Sequence, residues 1–111
     1  MPRVIFRPGE EVTLGGQLVD QEAGVALANQ TVVLQQYDPS TGLWKDVTST
    51  TTDSEGKYTF RFRLPDVEGQ IRLRCYFPGS EAYAKDASPS VTITIKRPKA
   101  ARTAVSIQVL S

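Results

Sequence analysis

The sequence predicts an all-β fold in which about seven strands form two antiparallel sheets packed as a sandwich. Every strong hydrophobic periodicity has a period of two residues, and no window of a dozen residues keeps a helical stripe. Turn residues such as Gly, Pro, Asn and Asp separate the alternating runs at short intervals. Short strands with frequent turns are typical of a sandwich or a small barrel.

The strands are placed, in chain order, where apolar and polar residues alternate. The run at 44–50 alternates least clearly of all. Clusters of turn-forming residues stand between the runs, so each strand has a predicted beginning and end. The predicted strands are 12–19, 31–35, 44–50, 58–63, 71–77 and 91–96, and the predicted turns are 8–9, 20–29, 39–42, 53–56, 65–69 and 78–89.

The clearest local signal is the segment 51–60, TTDSEGKYTF. Asp53 can accept hydrogen bonds from the turn backbone, and Gly56 can adopt the positive φ that reverses the chain. The strand that follows alternates aromatic residues with threonine and arginine, so one of its faces is apolar. We therefore expect a β-hairpin here, in which the turn has a structural role and not a catalytic one.

Apolar residues of one parity in each predicted strand define the expected core. The single cysteine, Cys75, shares the parity of Leu73 and Phe77 and is therefore predicted to be a buried thiol and not a reactive one. The predicted core comprises Val12, Leu14, Leu18, Val32, Leu34, Tyr58, Phe60, Phe62, Ile71, Leu73, Cys75, Val91, Ile93 and Ile95.

Composition limits the functions open to this chain. Its 111 residues suffice for one domain, and 13 Lys and Arg against 12 Asp and Glu leave a net charge of +1. We therefore expect no nucleic-acid binding and, because no apolar run is long enough to span a bilayer, no membrane insertion. The N-terminal residues lack the apolar stretch of a secretory signal, so a signal for export would lie outside this chain.

Catalytic and metal-binding chemistry is not expected. The chain contains no histidine and one cysteine, which removes His-dependent triads, Cys–His pairs and the usual zinc ligand sets. Its paired acidic residues lie in predicted turns, where solvated carboxylates are commoner than a catalytic pair. The turn at 53–56 offers oxygen ligands but lacks the downstream glutamate of an EF-hand. The sequence therefore predicts a domain that is not an enzyme and holds no cofactor or metal.

The order of segments from 8 to 96 resembles the Ig-like repeats found in tandem on bacterial and archaeal cell-surface proteins. The most specific parts are the Thr-Asp-x-x-Gly-x-Tyr segment at 52–58 and the aromatic-x-Gly-x-x-x-Tyr segment at 77–83. The resemblance implies an Ig-like β-sandwich that acts as a structural or adhesion repeat, a spacer or stalk module, of an extracellular or cell-surface protein. Its partners would be neighbouring repeats of the same parent chain and a surface protein or glycan.

Aromatic residues keep a second function open, that of a carbohydrate-binding or regulatory module appended to a secreted enzyme. Parity does not place Trp44, Tyr37 and Tyr76 all on inward positions, and an aromatic row on a flat sheet can stack sugar rings. Trp44 could equally pack in the core or at a sheet edge. Exposure of Trp44 and Tyr37 on one face would favour ligand binding, and burial of Trp44 would favour the spacer.

Four arginines on outward positions do not predict a polyanion surface. Arg61 and Arg63 belong to one predicted strand, and Arg72 and Arg74 belong to another. In an Ig-like order these two strands lie in opposite sheets. We therefore expect two arginine pairs on two different faces.

The C-terminal part is predicted to lie outside the sandwich, which occupies residues 1–98. Residues 99–111 continue a basic connector and then begin a new alternating run at 103–110. An isolated strand cannot satisfy its own backbone groups, so we expect this run to pair in a sheet and its removal to lower the melting temperature. It would be the first strand of a following repeat, or fill the first-strand position of this chain or of a second copy as a strand-exchanged dimer.

Overall fold

The structure is a computed structural model, and it describes residues 5–98 and 104–110. In those residues every regular element is a β-strand, which confirms the predicted all-β fold. Six of the strands have five or more residues, and they coincide with the six strands predicted from alternation. The strands are β1 (Ile5–Phe6), β2 (Glu11–Gln17), β3 (Val19–Asp20), β4 (Val25–Ala26), β5 (Thr31–Asp38), β6 (Leu43–Thr51), β7 (Lys57–Arg63), β8 (Gly69–Phe77), β9 (Asp86–Ala87) and β10 (Val91–Ile95).

The strands form a larger sheet that packs against a smaller one. The larger sheet has the order β1-β10-β8-β5-β6, with β9 paired to β8, and the smaller sheet is β2-β7. The prediction of two antiparallel sheets is corrected in two details. β1 runs parallel to β10, with Ile5 opposite Thr94, and β3 and β4 form a separate two-stranded sheet.

The β3-β4 pair arises inside a segment predicted as a long turn. The carboxylate of Asp20 accepts hydrogen bonds from the N–H groups of Glu22 and Ala23, and its carbonyl accepts one from Gly24. These bonds close a tight turn, which brings Val25 back beside Asp20. The turn chemistry was visible in the sequence, but the two short strands beside it were too brief to show a period.

The segment 51–60 forms the predicted turn but not the predicted hairpin. Asp53 accepts hydrogen bonds from the N–H groups of Glu55 and Lys57, and Gly56 has a φ of +74°. However, β6 pairs with β5 in the larger sheet, whereas β7 pairs with β2 in the smaller one. The turn therefore carries the chain from one sheet to the other.

Two contacts hold this crossing turn against the segment that follows β2. The hydroxyl of Thr52, a residue only 2% exposed, donates to the carbonyl of Leu27 and accepts from the N–H of Gln30. Gly56 lies so close to the chain that a Cβ there would come within 2.6 Å of the carbonyl oxygen of Leu18. Because both contacts fix the turn to the chain between β2 and β5, the strand that leaves the turn pairs with β2.

The core lies between the two sheets, and its prediction from parity is confirmed with one exception. Every predicted core residue is buried or packs against the buried cluster except Val91, which is 46% exposed. Alternation missed Leu27 and Leu64, which are buried although both lie outside the predicted strands. The buried cluster consists of Val12, Val32, Leu34, Phe60, Leu64, Leu73, Ile93 and Ile95.

Residues 104–110 do not pair with either sheet of this chain. They form no strand, and the side chains of Val105 and Ile107 are both 97% exposed. One part of the tail prediction placed this run in a sheet of its own chain, and for residues 104–110 that part is wrong. Thr103, the first residue of the predicted run, lies outside the described residues. Pairing with a following repeat or with a second copy stays a prediction.

Candidate functional site

The outer face of the larger sheet carries a cluster of aromatic and arginine side chains. Three strands supply them at neighbouring positions, because Tyr37 of β5 lies opposite Trp44 of β6 and β8 lies on the other side of β5. The residues from β5 and β8 alternate with core residues of their own strands, and Trp44 lies directly opposite Tyr37, so all of them face away from the core. We call this cluster the aromatic–arginine surface: Tyr37, Trp44, Arg72, Arg74 and Tyr76.

Rings and guanidinium groups interleave on this surface. The Tyr37 and Trp44 rings meet edge to face, with centroids 5.4 Å apart. The Arg74 guanidinium carbon lies 4.4 Å from the Trp44 ring centroid and 5.6 Å from that of Tyr76. Arg72 lies 4.9 Å from the Tyr37 centroid and 5.7 Å from that of Trp44. These distances are those of cation–π interactions, so the rings hold both cations against the sheet.

Hydrogen bonds fix the orientation of Arg74. Its Nε donates to Oε1 of Gln35 at 2.8 Å, and Nε2 of Gln35 donates to Oδ1 of Asp46 at the same distance. Gln35, in the middle of this chain of bonds, is only 7% exposed, whereas Asp46 at its end is exposed. Within residues 5–98 and 104–110, neither Nη group of Arg74 has a hydrogen-bond partner. Both therefore remain able to donate to a ligand.

A shallow groove of about 550 Å³ runs beside Trp44. Arg74 and Tyr76 lie along it, and Lys85 stands on its far side. Two cationic groups next to aromatic rings suit a ligand that carries carboxylate groups, because a guanidinium can bind a carboxylate with two parallel hydrogen bonds. Asp86 also lines the groove and reduces its positive charge.

The structure brings together all three residues that the sequence singled out for ligand contact. Trp44, Tyr37 and Tyr76 lie on one face, and the alternative of Trp44 in the core is wrong. The side chain of Trp44 is nevertheless only partly exposed, because the two arginines lie over it. A ring covered in this way offers less stacking area to a neutral sugar than a bare ring does.

A β-bulge explains why parity could not place Trp44. Gln35 lies opposite Asp46, but Leu34 lies opposite Thr48, so Val47 is an extra residue in β6. The bulge changes the facing of every residue beyond it, which is why β6 showed no clean alternation along its length.

The two arginine pairs lie on different faces, as predicted. Arg72 and Arg74 belong to β8 of the larger sheet, and Arg61 and Arg63 belong to β7 of the smaller one. Sequence reasoning missed the contacts between arginine and ring. Tyr76 shares the parity of Arg72, but the cross-strand neighbours on β5 and β6 depend on sheet order, which parity does not reveal.

Cys75 is half-buried, which corrects the prediction of a fully buried thiol. It does face inward and packs against the core, where burial raises the pKa of its thiol. Burial also raises the pKa of the neighbouring Tyr58 hydroxyl to about 12, with a smaller contribution from the Cys75 side chain. Both groups are therefore held in their neutral forms near pH 7.

Two acidic residues, Asp53 and Asp38, form hydrogen bonds within the turns beside them. Hydrogen bonds from the backbone N–H groups of Lys57 and Glu55 lower the pKa of the Asp53 carboxyl. The pKa of Asp38 is held well below its usual range by hydrogen bonds from Ser40 and by Lys45, whose Nζ lies 2.9 Å away. In the described residues, no group of three or more His, Cys, Asp and Glu is placed to hold a metal ion.

Comparison of the chain with protein-family models, curated proteins and solved structures finds no match. In residues 5–98 and 104–110 there is no apolar helix of membrane-spanning length. The fold and the aromatic–arginine surface are therefore the features that bear on function.

Proposed function

We propose that this chain is an Ig-like β-sandwich that serves as a non-enzymatic spacer or adhesion module of an extracellular or cell-surface protein. The observation that carries the proposal is the parallel pairing of the first and last strands, with Ile5 opposite Thr94 and Phe6 opposite Ile95. Because the two strands run the same way along one sheet edge, the chain enters and leaves the domain in the same direction. Copies joined in series could therefore line up without reversing the chain.

The strand order supports an Ig-like topology. In the larger sheet β10, β8, β5 and β6 correspond to strands G, F, C and C′ of an Ig sandwich, and β2-β7 in the smaller sheet corresponds to strands B and E. The six long strands together with β1 make seven strands, and the short strands β3, β4 and β9 are additions in the loops.

A tandem protein tests the spacer function. Two and three copies of residues 1–98 would be joined through the natural connector and measured by small-angle X-ray scattering. We expect the maximum dimension to increase by about one domain length with each copy, as in other linear repeat arrays. A control with a long Gly/Ser linker should give a broader distribution of distances. Copies that fold back against each other would contradict the spacer proposal.

The second candidate is a ligand-binding module, and the aromatic–arginine surface favours it. Two guanidinium groups beside three aromatic rings provide both charge and stacking area on one face. Because the arginines partly cover the rings, we expect acidic sugars such as oligogalacturonate to bind better than neutral ones.

Fluorescence of the single tryptophan, Trp44, can report such binding directly. Titration with neutral and acidic oligosaccharides would be repeated on the double variant Arg72→Ala/Arg74→Ala, with Arg61→Ala/Arg63→Ala as the matched control of equal charge. Loss of binding in the first variant only would support a ligand site on this surface. Equal loss in both, or no response to any sugar, would exclude it.

A further inference from the structure

The structure leaves an open seam between the two sheets, on the side where β2 faces β10. Two adjoining hollows of about 200 and 280 Å³ lie along it, and they share Tyr58, Cys75 and Pro89 in their walls. Leu14 lines the hollow at one end and Leu18 the hollow at the other. We call the two hollows together the seam groove; Ser88 also lines both, and the hollow beside Leu14 is the more apolar of the two. The seam groove explains why Cys75 is only half-buried.

The strand that borders the seam groove has a free edge. In the described residues β2 pairs with β7 and with no other strand. Among the described residues, β1 lies beside only one end of β10, with Ile5 opposite Thr94 and Phe6 opposite Ile95. Beyond it Val91 stays exposed although it has the parity of the core. An unpaired edge beside apolar side chains is a site where another strand can add.

The same chain contains a strand-like segment without a sheet. Val105, Ile107 and Val109 alternate with Ser106 and Gln108, and each of the three apolar side chains is more than 90% exposed. Residues 104–110 are as long as the seven-residue β2 and would span about 23 Å as a strand. The segment thus matches β2 in length, and it has an apolar face that would cover the open side of the seam groove.

We infer that residues 104–110 of one copy add as a strand beside β2 of a second copy and cover the seam groove with Val105, Ile107 and Val109. The partner is a second copy and not the same chain, because the side chains of Val105, Ile107 and Val109 all stay more than 90% exposed in their own chain. The inference does not depend on the spacer function.

Engineered disulfides test this arrangement, because Cys75 lines the groove and is the only cysteine of the chain. The variant Ile107→Cys would place a second thiol on the apolar side of the added strand. Under mild oxidation of the full chain we expect a disulfide-linked dimer, with the bond between positions 107 and 75 identified by mass spectrometry. The matched control, Gln108→Cys, has the opposite parity and should not link to Cys75.

Three outcomes would overturn the inference. A bond between positions 107 and 75 within one chain would show that the segment folds back on its own sandwich. Equal linking of Cys75 by both variants would show that residues 104–110 take no fixed register beside β2. A bond only between two tail cysteines would show that the groove is not the docking site.

Sedimentation of the unmodified chain gives an independent readout. We expect a reversible shift from monomer to dimer mass with rising concentration, and its loss in Ile107→Asp. Because the side chain of Ile107 is 97% exposed in its own chain, this variant should fold normally, which its melting curve in dilute solution checks. A wild-type chain that stays monomeric at all concentrations would also overturn the inference.

Discussion

The pattern Arg-apolar-Arg occurs twice in this chain, and the two occurrences have different surroundings. In Arg61-Phe62-Arg63 of β7 both arginines are exposed, and Arg63 donates from Nη1 to the carbonyl of Gly9 at 2.9 Å. In Arg72-Leu73-Arg74 of β8 both arginines lie over aromatic rings, and the central leucine is fully buried. The same local pattern therefore forms a solvated face in one place and an ordered surface in the other.

The position of each strand in its sheet causes the difference. β7 has one neighbour, β2, which places Thr13 opposite Arg61 and Glu11 opposite Arg63. β8 lies between β10 and β5, and β5 brings Tyr37 and, through β6, Trp44 onto the same face. Alternation decides which way an arginine faces, and the neighbouring strands decide what it meets there.

The largest expected difference concerns the central residue of each pattern. Leu73→Ala should lower the free energy of unfolding by about 3 kcal/mol, because it opens a cavity in a fully buried site. Phe62→Ala should cost less, roughly 1–2 kcal/mol, because Phe62 is only partly buried. Urea unfolding monitored by circular dichroism measures both values. A larger loss for Phe62→Ala would mean that the smaller sheet contributes more to the core than its partial burial indicates.

A smaller difference is expected between the arginines. Arg74→Ala removes two ring contacts and the bond to Gln35 and should lower the free energy of unfolding by about 1 kcal/mol. Arg63→Ala should change it by less than about 0.5 kcal/mol, as is common for exposed residues. Only the first variant should change the emission of Trp44, because Arg74 lies over that ring. Equal stability losses in Arg74→Ala and Arg63→Ala, with unchanged Trp44 emission in both, would show that the arginines of β8 are no more ordered than those of β7.

Arg74→Lys serves as a further control for the same surface. It keeps the charge but loses the planar group that stacks on the ring and bonds Gln35, so we expect it to restore only part of the lost stability. Full restoration by lysine would show that charge alone matters at this position.

Tyr58 of β7 should make the stability of the domain sensitive to alkaline pH. Tyr58 lies on the inner face, and burial raises the pKa of its hydroxyl from 10.0 to about 12. As the pH rises, the unfolded chain therefore loses this proton before the folded chain does. The contribution of the Tyr58 hydroxyl to the free energy of unfolding is complete below pH 10 and is lost as the pH rises through about 12. Between those values the wild type should lose more stability than Tyr58→Phe. Parallel curves for the two proteins, measured by urea unfolding, would show that the hydroxyl is as solvated as in the unfolded chain.

The smallest effect is expected from the segment that belongs to neither sheet. A chain that ends at Pro98 should keep its melting temperature in dilute solution, because residues 104–110 form no strand and are all exposed. This expectation reverses the one drawn from the apolar alternation of the segment. A drop seen only at high concentration would support pairing with a second copy. A drop at every concentration would show that the tail contacts its own domain.

Parity predicted the fold well where strands are regular, and failed at three identifiable places. In β6 the bulge at Val47 reverses the facing of the residues beyond it. At the turn 53–56 the local signal was right, but the contacts of Thr52 and Gly56 with the chain after β2 send the next strand to the other sheet. Val91 has core parity but is the first residue of β10 and is 46% exposed.

The sequence by itself determined the six long strands, the inward and outward faces of β2, β5, β7, β8 and β10, and most residues of the core. These are local properties, because a side chain in a strand alternates with its neighbours whatever lies beside the strand. Only the tertiary structure decided which strands are neighbours. That choice built the aromatic–arginine surface from three separate strands and left the seam groove open, because cross-strand contacts join residues far apart in the chain and no local pattern encodes them.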